Sequence, residues 1–165
     1  MLTGQREAVI AKLSKPELKN DHLEIQGERN KSGQRILVPL SPIALQQIEE
    51  LGQKNGEFIV SNTGVAKPIS GFSKLKRKVD ELSVVGDWRF HDIRRGIATH
   101  LEDNGVDRFY VERVLTHKDR SVTGIYARYN HLDVRRTILD RWALVLTAPE
   151  GFDADNVISF TGPVT

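Results

Sequence analysis

The feature that most narrows the fold of this chain is a change in hydrophobic period near residue 70. Before it, short β-rich runs at 22–25, 34–38 and 58–60 are bounded by turn residues. After it, apolar residues recur at helical spacing in segments 70–82, 91–104, 107–116, 121–129 and 131–146, punctuated by Gly86, Gly105 and the Asn130-His131 step. A short helix over 5–12 and another from the Ser41 N-cap to about Leu51 are predicted in the first part. The expected class is therefore α+β: mainly α, with a small antiparallel three-stranded sheet near the N-terminal end. The turn-rich stretch Gly27-Glu28-Arg29-Asn30-Lys31-Ser32-Gly33 reads as the tip of a basic hairpin joining the first two strands.

Length and composition fit one domain. The chain has 165 residues, 39% hydrophobic and 28% charged, which suits a packed core and argues against disorder. Cysteine is absent, which excludes disulfide scaffolds, thiolate zinc sites and cysteine nucleophiles. No apolar run approaches the roughly 20 residues of a membrane span, and the lack of cysteine fits the reducing, cytoplasmic setting that is expected. The formal charge of +2 is unevenly spread. After Arg141 there is no Lys or Arg, and Glu150, Asp153 and Asp155 give −3, so the first 141 residues carry +5. The domain is expected to span 1–147, with 148–165 as a C-terminal tail. The tail holds one short apolar run, Val157-Ile158-Ser159-Phe160.

Several residues bear chemistry. On a helix with about 100° per residue, Ile93, Ile97 and Leu101 form one stripe, with Arg94 at its edge and Arg95 well away from it. His91 stands one turn before Arg94. A half-buried guanidinium beside a histidine suits an anion, because it donates parallel hydrogen bonds to phosphate or carboxylate. Taken singly, Arg94 reads first as the partner of a neighbouring Asp or Glu, and His117 as a helix C-terminal cation. Tyr126 alone reads as a core or rim tyrosine, and Lys31 as a solvated turn lysine. Lys74, Lys76, Arg77 and Lys78 form a basic run, either a solvated face or a phosphate contact.

Their order along the chain says more than any one of them. Leu2-Thr3-Gly4-Gln5-Arg6, Asn30-Lys31-Ser32-Gly33, His91-Asp92-Ile93-Arg94-Arg95, Val114-Leu115-Thr116-His117 and Ile125-Tyr126 together resemble the catalytic domain of the tyrosine recombinases, the phage-integrase family. The likeness covers roughly 2–146 and is nearest to prophage and genomic-island integrases. It implies site-specific DNA recombination through a 3′-phosphotyrosine. In that scheme Tyr126 is the nucleophile and Arg6 and Arg94 clamp the scissile phosphate. His91, Lys31 and His117 complete the catalytic set, with no metal or other cofactor. Lys74, Lys76, Arg77, Lys78 and Arg95 are candidate DNA contacts. The implied partners are double-stranded DNA and, on DNA, further copies of the protein, with no membrane. Two departures stand out. Val9 occupies a position, three after Arg6, where the family commonly has an acid, and the family's upstream core-binding domain and the start of its catalytic domain are expected to be missing. The alternatives are a shortened, non-catalytic DNA-binding fragment and a type IB topoisomerase-like activity.

Overall fold

The computed structural model describes residues 1–29, 33, 35–52, 56–61, 67–83, 85–117 and 131–148. Six α-helices are described: α1 Glu7–Ala11, α2 Pro42–Gly52, α3 Phe72–Leu82, α4 Phe90–Asp103, α5 Arg108–Val114 and α6 Leu132–Thr147. Two strands, β1 His22–Ile25 and β2 Ile36–Pro39, pair antiparallel with His22 opposite Pro39 and Ile25 opposite Ile36. No described helix is long and apolar enough to cross a membrane. The expected helix at 121–129, the hairpin tip around Lys31 and the tail from 149 onward lie outside the described residues.

The sheet has two described strands, not the three expected. Ile59 at the centre of the third run is buried, but the run pairs elsewhere. Phe58 forms a single antiparallel bridge with Ser14. Around it Lys15 N donates to Glu57 O at 2.9 Å and Ile59 N to Leu13 O at 2.9 Å. The ladder stops there because its partner segment turns into a 3₁₀ turn, Lys15–Glu17, whose Pro16 has no N–H to give.

Two apolar clusters result. One gathers Val9, Leu13, Leu23, Ile25, Val38, Leu40, Ala44 and Ile59 under the sheet, α1 and α2. The α2 start is fixed by Ser41, whose hydroxyl accepts from Ala44 N at 3.2 Å, as expected of an N-cap. The other gathers Ile97 and Leu101 of α4, Val111 and Val114 of α5, and Ile138, Leu139 and Trp142 of α6. α6 buries residues 135, 138, 139, 142 and 143, the i, i+3, i+4 stripe of a helix lying on a core.

The first slot of that stripe is an arginine. Arg135 donates to Leu37 O of β2 at 2.7 Å. Burial first, and then Arg113, push its guanidinium down to about 10. Beside it Arg136 donates to Asp21 Oδ2 at 2.6 Å and Asp21 O at 3.2 Å. Two adjacent arginines thus pin the base of the β1–β2 hairpin to α6. A second buried polar group also stabilises the N-terminal half. Glu17 accepts from Ser14 N and Ser14 Oγ, each at 2.9 Å, and pairs with Arg29, which also donates to Val9 O at 3.1 Å.

Candidate active site

The site is built where the first six residues cross the ends of α4 and α5. Gly4 adopts φ +61°, a left-handed conformation open to glycine at little cost. A Cβ at Gly4 would meet Leu115 Cδ2 at 3.0 Å, so the backbone lies directly on the core. This close approach aims the Gly4 carbonyl at α4, where Arg94 Nη1 donates to it at 2.6 Å. Arg94 Nη2 donates to Leu115 O at the end of α5. Arg94 is 6% exposed. Its two bonds to carbonyls use two of its five N–H donors and neutralise none of its charge.

Arg6 follows two residues after Gly4 and caps α1, its carbonyl accepting from Val9 N at 2.9 Å. Its charge is felt at Arg94, whose guanidinium is pushed down to about 10 by burial first and by Arg6 second. Arg94 therefore stays protonated at neutral pH. His117 is exposed at the rim, yet partial burial holds its imidazole below the ordinary 6.5, and Arg94 and then Arg6 lower it further. Glu112 opposes these effects. Two cations and an imidazole thus share one electrostatic environment, a pattern that favours an anionic ligand.

The structure brings together Arg6, Arg94 and His117 of the expected set. His91 lies one turn before Arg94 on α4 and is exposed. The neighbouring Asp92 serves the helix itself, its Oδ2 accepting from Arg89 N at 2.9 Å. Lys31 and Tyr126 lie outside the described residues. Of the candidate DNA contacts, Lys74, Arg77 and Lys78 are exposed on α3. Lys76 is engaged locally: it pairs with Asp80 at 2.7 Å, donates to Gly86 O at 3.0 Å and sits 5.0 Å from the Trp88 ring centroid. Arg95 is exposed on the outer side of α4, 3.6 Å from Asp92. Among the described residues no cluster of metal-ligating side chains is found.

Val9, at the position where an acid was of interest, is 7% exposed and belongs to the N-terminal core. The bracing of Arg94 comes instead from the backbone carbonyls of Gly4 and Leu115. Sequence reasoning passed over Gln5 as a functional residue. Its Nε2 donates to Val114 O at 2.9 Å and Thr3 O at 3.0 Å, and its Oε1 accepts from Thr116 Oγ1 at 2.8 Å. The only available signal was its place between Gly4 and Arg6.

A family model described as "Phage integrase family" matches residues 1–133. The chain is similar to tyrosine recombinase XerD of Halalkalibacterium halodurans, 28% identical over 146 residues, covering 81% of this chain and 48% of that protein. It is also similar to tyrosine recombinase XerD of Corynebacterium glutamicum, 30% identical over 63% of this chain and 36% of that protein. A third relative is tyrosine recombinase XerD of Lacticaseibacillus casei, 26% identical over 78% of this chain and 47% of that protein. The chain thus matches about half, or less, of the length of these relatives. No solved structure matches it.

Proposed function

The chain belongs to the phage integrase family of tyrosine recombinases, and on that premise we propose that it cleaves and rejoins DNA strands at specific sites through a 3′-phosphotyrosine intermediate. The observation that carries the reading is the convergence of Arg6, Arg94 and His117 with no carboxylate answering Arg94 among its described hydrogen bonds. Such a group is suited to a phosphodiester, whose non-bridging oxygens accept parallel hydrogen bonds and gain charge as the phosphorus is attacked.

In this reaction the Tyr126 oxygen attacks the backbone phosphorus, the P–O bond to the 5′-oxygen breaks, and a 5′-hydroxyl leaves. The covalent intermediate conserves the phosphodiester energy for religation. Arg94, held by Gly4 and Leu115, donates its remaining N–H groups to the phosphate, with Arg6 beside it. His117, neutral at pH 7, donates its N–H to a non-bridging oxygen. Lys31 protonates the leaving oxygen, and His91 accepts or holds the nucleophile's proton. The exposed Lys74, Arg77 and Lys78 and the nearby Arg95 contribute contacts to flanking phosphates. The partners are double-stranded DNA and further copies of the protein on it.

The test is a pool of nicked suicide duplexes of randomised sequence incubated with the protein. A covalent adduct resistant to denaturant is expected, and it disappears in Tyr126→Phe. A second reading is favoured by the chain's matching about half the length of its relatives: a DNA-binding segment without strand cleavage. Salt-dependent DNA affinity with no adduct from any duplex would select that reading. Relaxation of supercoiled DNA without site preference would instead indicate a topoisomerase-like activity.

A further inference from the structure

α4 and α5 end in the same backbone motif but place different residues at its critical position. After α4, Val106 N donates to Leu101 O at 2.9 Å and Gly105 N to Glu102 O at 3.0 Å, with Gly105 at φ +80°. After α5, His117 N donates to Glu112 O at 2.8 Å and Thr116 N to Arg113 O at 3.1 Å, with Thr116 at φ +54°. This is the Schellman ending, in which the left-handed position usually belongs to glycine. A β-branched residue there is an outlier. Thr116 is the one non-glycine residue with positive φ among the described residues.

A strained conformation persists only where its surroundings over-determine it. At Thr116 that surrounding group is Gln5, 111 positions earlier in the chain, whose Oε1 accepts the Thr116 hydroxyl. The same amide holds Val114 O through Nε2 at 2.9 Å, so it grips the last turn of α5 and the strained residue together. His117 is the next residue, and the direction in which it leaves the helix is set by the Thr116 dihedrals.

We propose that Gln5 is a positioning residue for His117: its side-chain amide latches Thr116 in the left-handed conformation that turns the imidazole toward Arg94 and Arg6. Without the latch, Thr116 relaxes toward right-handed backbone and His117 swings away from the arginines. The catalytic consequence rests on the reading of His117 as a phosphate donor, whereas the latch itself does not.

The test is a double-mutant cycle with two readouts. Gln5→Leu removes both ends of the amide at similar size. Thr116→Gly removes the need for a latch, because glycine adopts positive φ freely. Adduct formation on the randomised nicked duplexes is expected to slow about tenfold in Gln5→Leu, the factor that about 1.4 kcal/mol represents. In the Thr116→Gly background the same Gln5→Leu change is expected to cost less than about threefold, the residue of the lost bond to Val114. The second readout is the titration of the His117 imidazole by NMR in the DNA-free protein, lowered first by burial and then by Arg94, Arg6 and Arg108, with Glu112 opposing. It is expected to move up toward the ordinary value in Gln5→Leu and to return in the double variant.

Equal losses in both backgrounds, or an unmoved His117 titration in Gln5→Leu, overturn the proposal. Absence of adduct from the unaltered protein overturns the catalytic reading instead, and the titration then decides the latch by itself. Thr116→Val, which deletes only the hydroxyl, serves as the second variant and is expected to match Gln5→Leu in the titration. Circular dichroism and melting confirm that each variant is folded.

Discussion

Three glycines allow the packing at the site to be separated from backbone conformation. Gly4→Ala meets two penalties. A left-handed alanine costs about 1–2 kcal/mol, and the new Cβ would lie 3.0 Å from Leu115 Cδ2, a side chain only 2% exposed with little room to yield. Overpacking of that kind costs about 1–3 kcal/mol. Restricting the unfolded chain returns about 0.4–1 kcal/mol. The net loss is then about 1–5 kcal/mol, centred near 3, which is about 6–12 °C in Tm for a chain of this size. Gly105→Ala shares the positive φ but meets nothing within 4 Å. It should lose about 1 kcal/mol and melt ~2–4 °C lower. Gly96, inside α4 with nothing within 4 Å of its Cβ direction, has neither problem. Gly96→Ala should gain about 0.5–1 kcal/mol and melt higher. Thermal denaturation followed by circular dichroism measures all three. The reasoning is refuted if Gly4→Ala melts no lower than Gly105→Ala, for then the close approach to Leu115 contributes nothing. Because the Gly4 carbonyl also holds Arg94, Gly4→Ala should slow adduct formation at temperatures well below its melt, while Gly96→Ala should not.

Three further outcomes follow from the geometry. Arg94→Lys cannot span the Gly4 and Leu115 carbonyls with one ammonium, and adduct formation should fall about 100-fold or more, as for loss of a preorganised donor; a loss below about fivefold would argue that the two anchors do not matter. Glu17→Ala leaves Arg29 without its carboxylate in a half-buried place and should cost about 2–3 kcal/mol in urea denaturation, below the range for fully buried pairs, whereas Arg136→Ala removes a more exposed pair and should cost less than about 1 kcal/mol. His117 and His100 are both held below 6.5 in the folded protein, chiefly by burial. Their folded forms bind protons less readily than the unfolded chain, so the stability they contribute is present above 6.5 and is lost as pH falls below it. Melts should therefore decline from pH 7.5 toward 5.5, with a shallower decline in His117→Asn; phosphate bound beside His117 should raise its titration and be held more tightly at lower pH.

Much of this fold is legible in local pattern. The α4 stripe of Ile93, Ile97 and Leu101, with Arg94 at its edge and Arg95 outside, follows from the helical period alone, and so does the Ser41 cap. The run at 58–60 shows where pattern stops. Its apolar residues report burial, which is correct for Ile59, but not which segment takes its hydrogen bonds, and the turn at Pro16 leaves room for a single bridge. Helix lengths differ for a similar reason. α5 stops at Val114 because Thr116 turns left-handed, and nothing near Thr116 in sequence announces that. The stabilising group is Gln5, reached only by folding. Arg135 likewise occupies a core slot that hydropathy would give to an aliphatic residue, and its carbonyl partner lies on β2. At the site, the arginines and His117 could be named from ordered motifs, while the means of holding them, carbonyls of Gly4 and Leu115 and the amide of Gln5, are tertiary.

The bonds that make the site join distant parts of the chain, Gly4 to Arg94 and Gln5 to Val114 and Thr116, as do those that tie α6 to the N-terminal half, Asp21 to Arg136, Leu37 to Arg135 and Met1 to Trp142. The two apolar clusters, by contrast, draw on residues 9–59 and 97–142 separately. Non-local closures come late and slowly in folding, after each half has gained local order. During synthesis the first cluster has all its residues once about sixty have emerged, yet a nascent chain ending before His117 cannot bring Arg6, Arg94 and His117 together. The convergence of these residues thus arrives in one late step of chain closure, rather than growing with the length of the polypeptide.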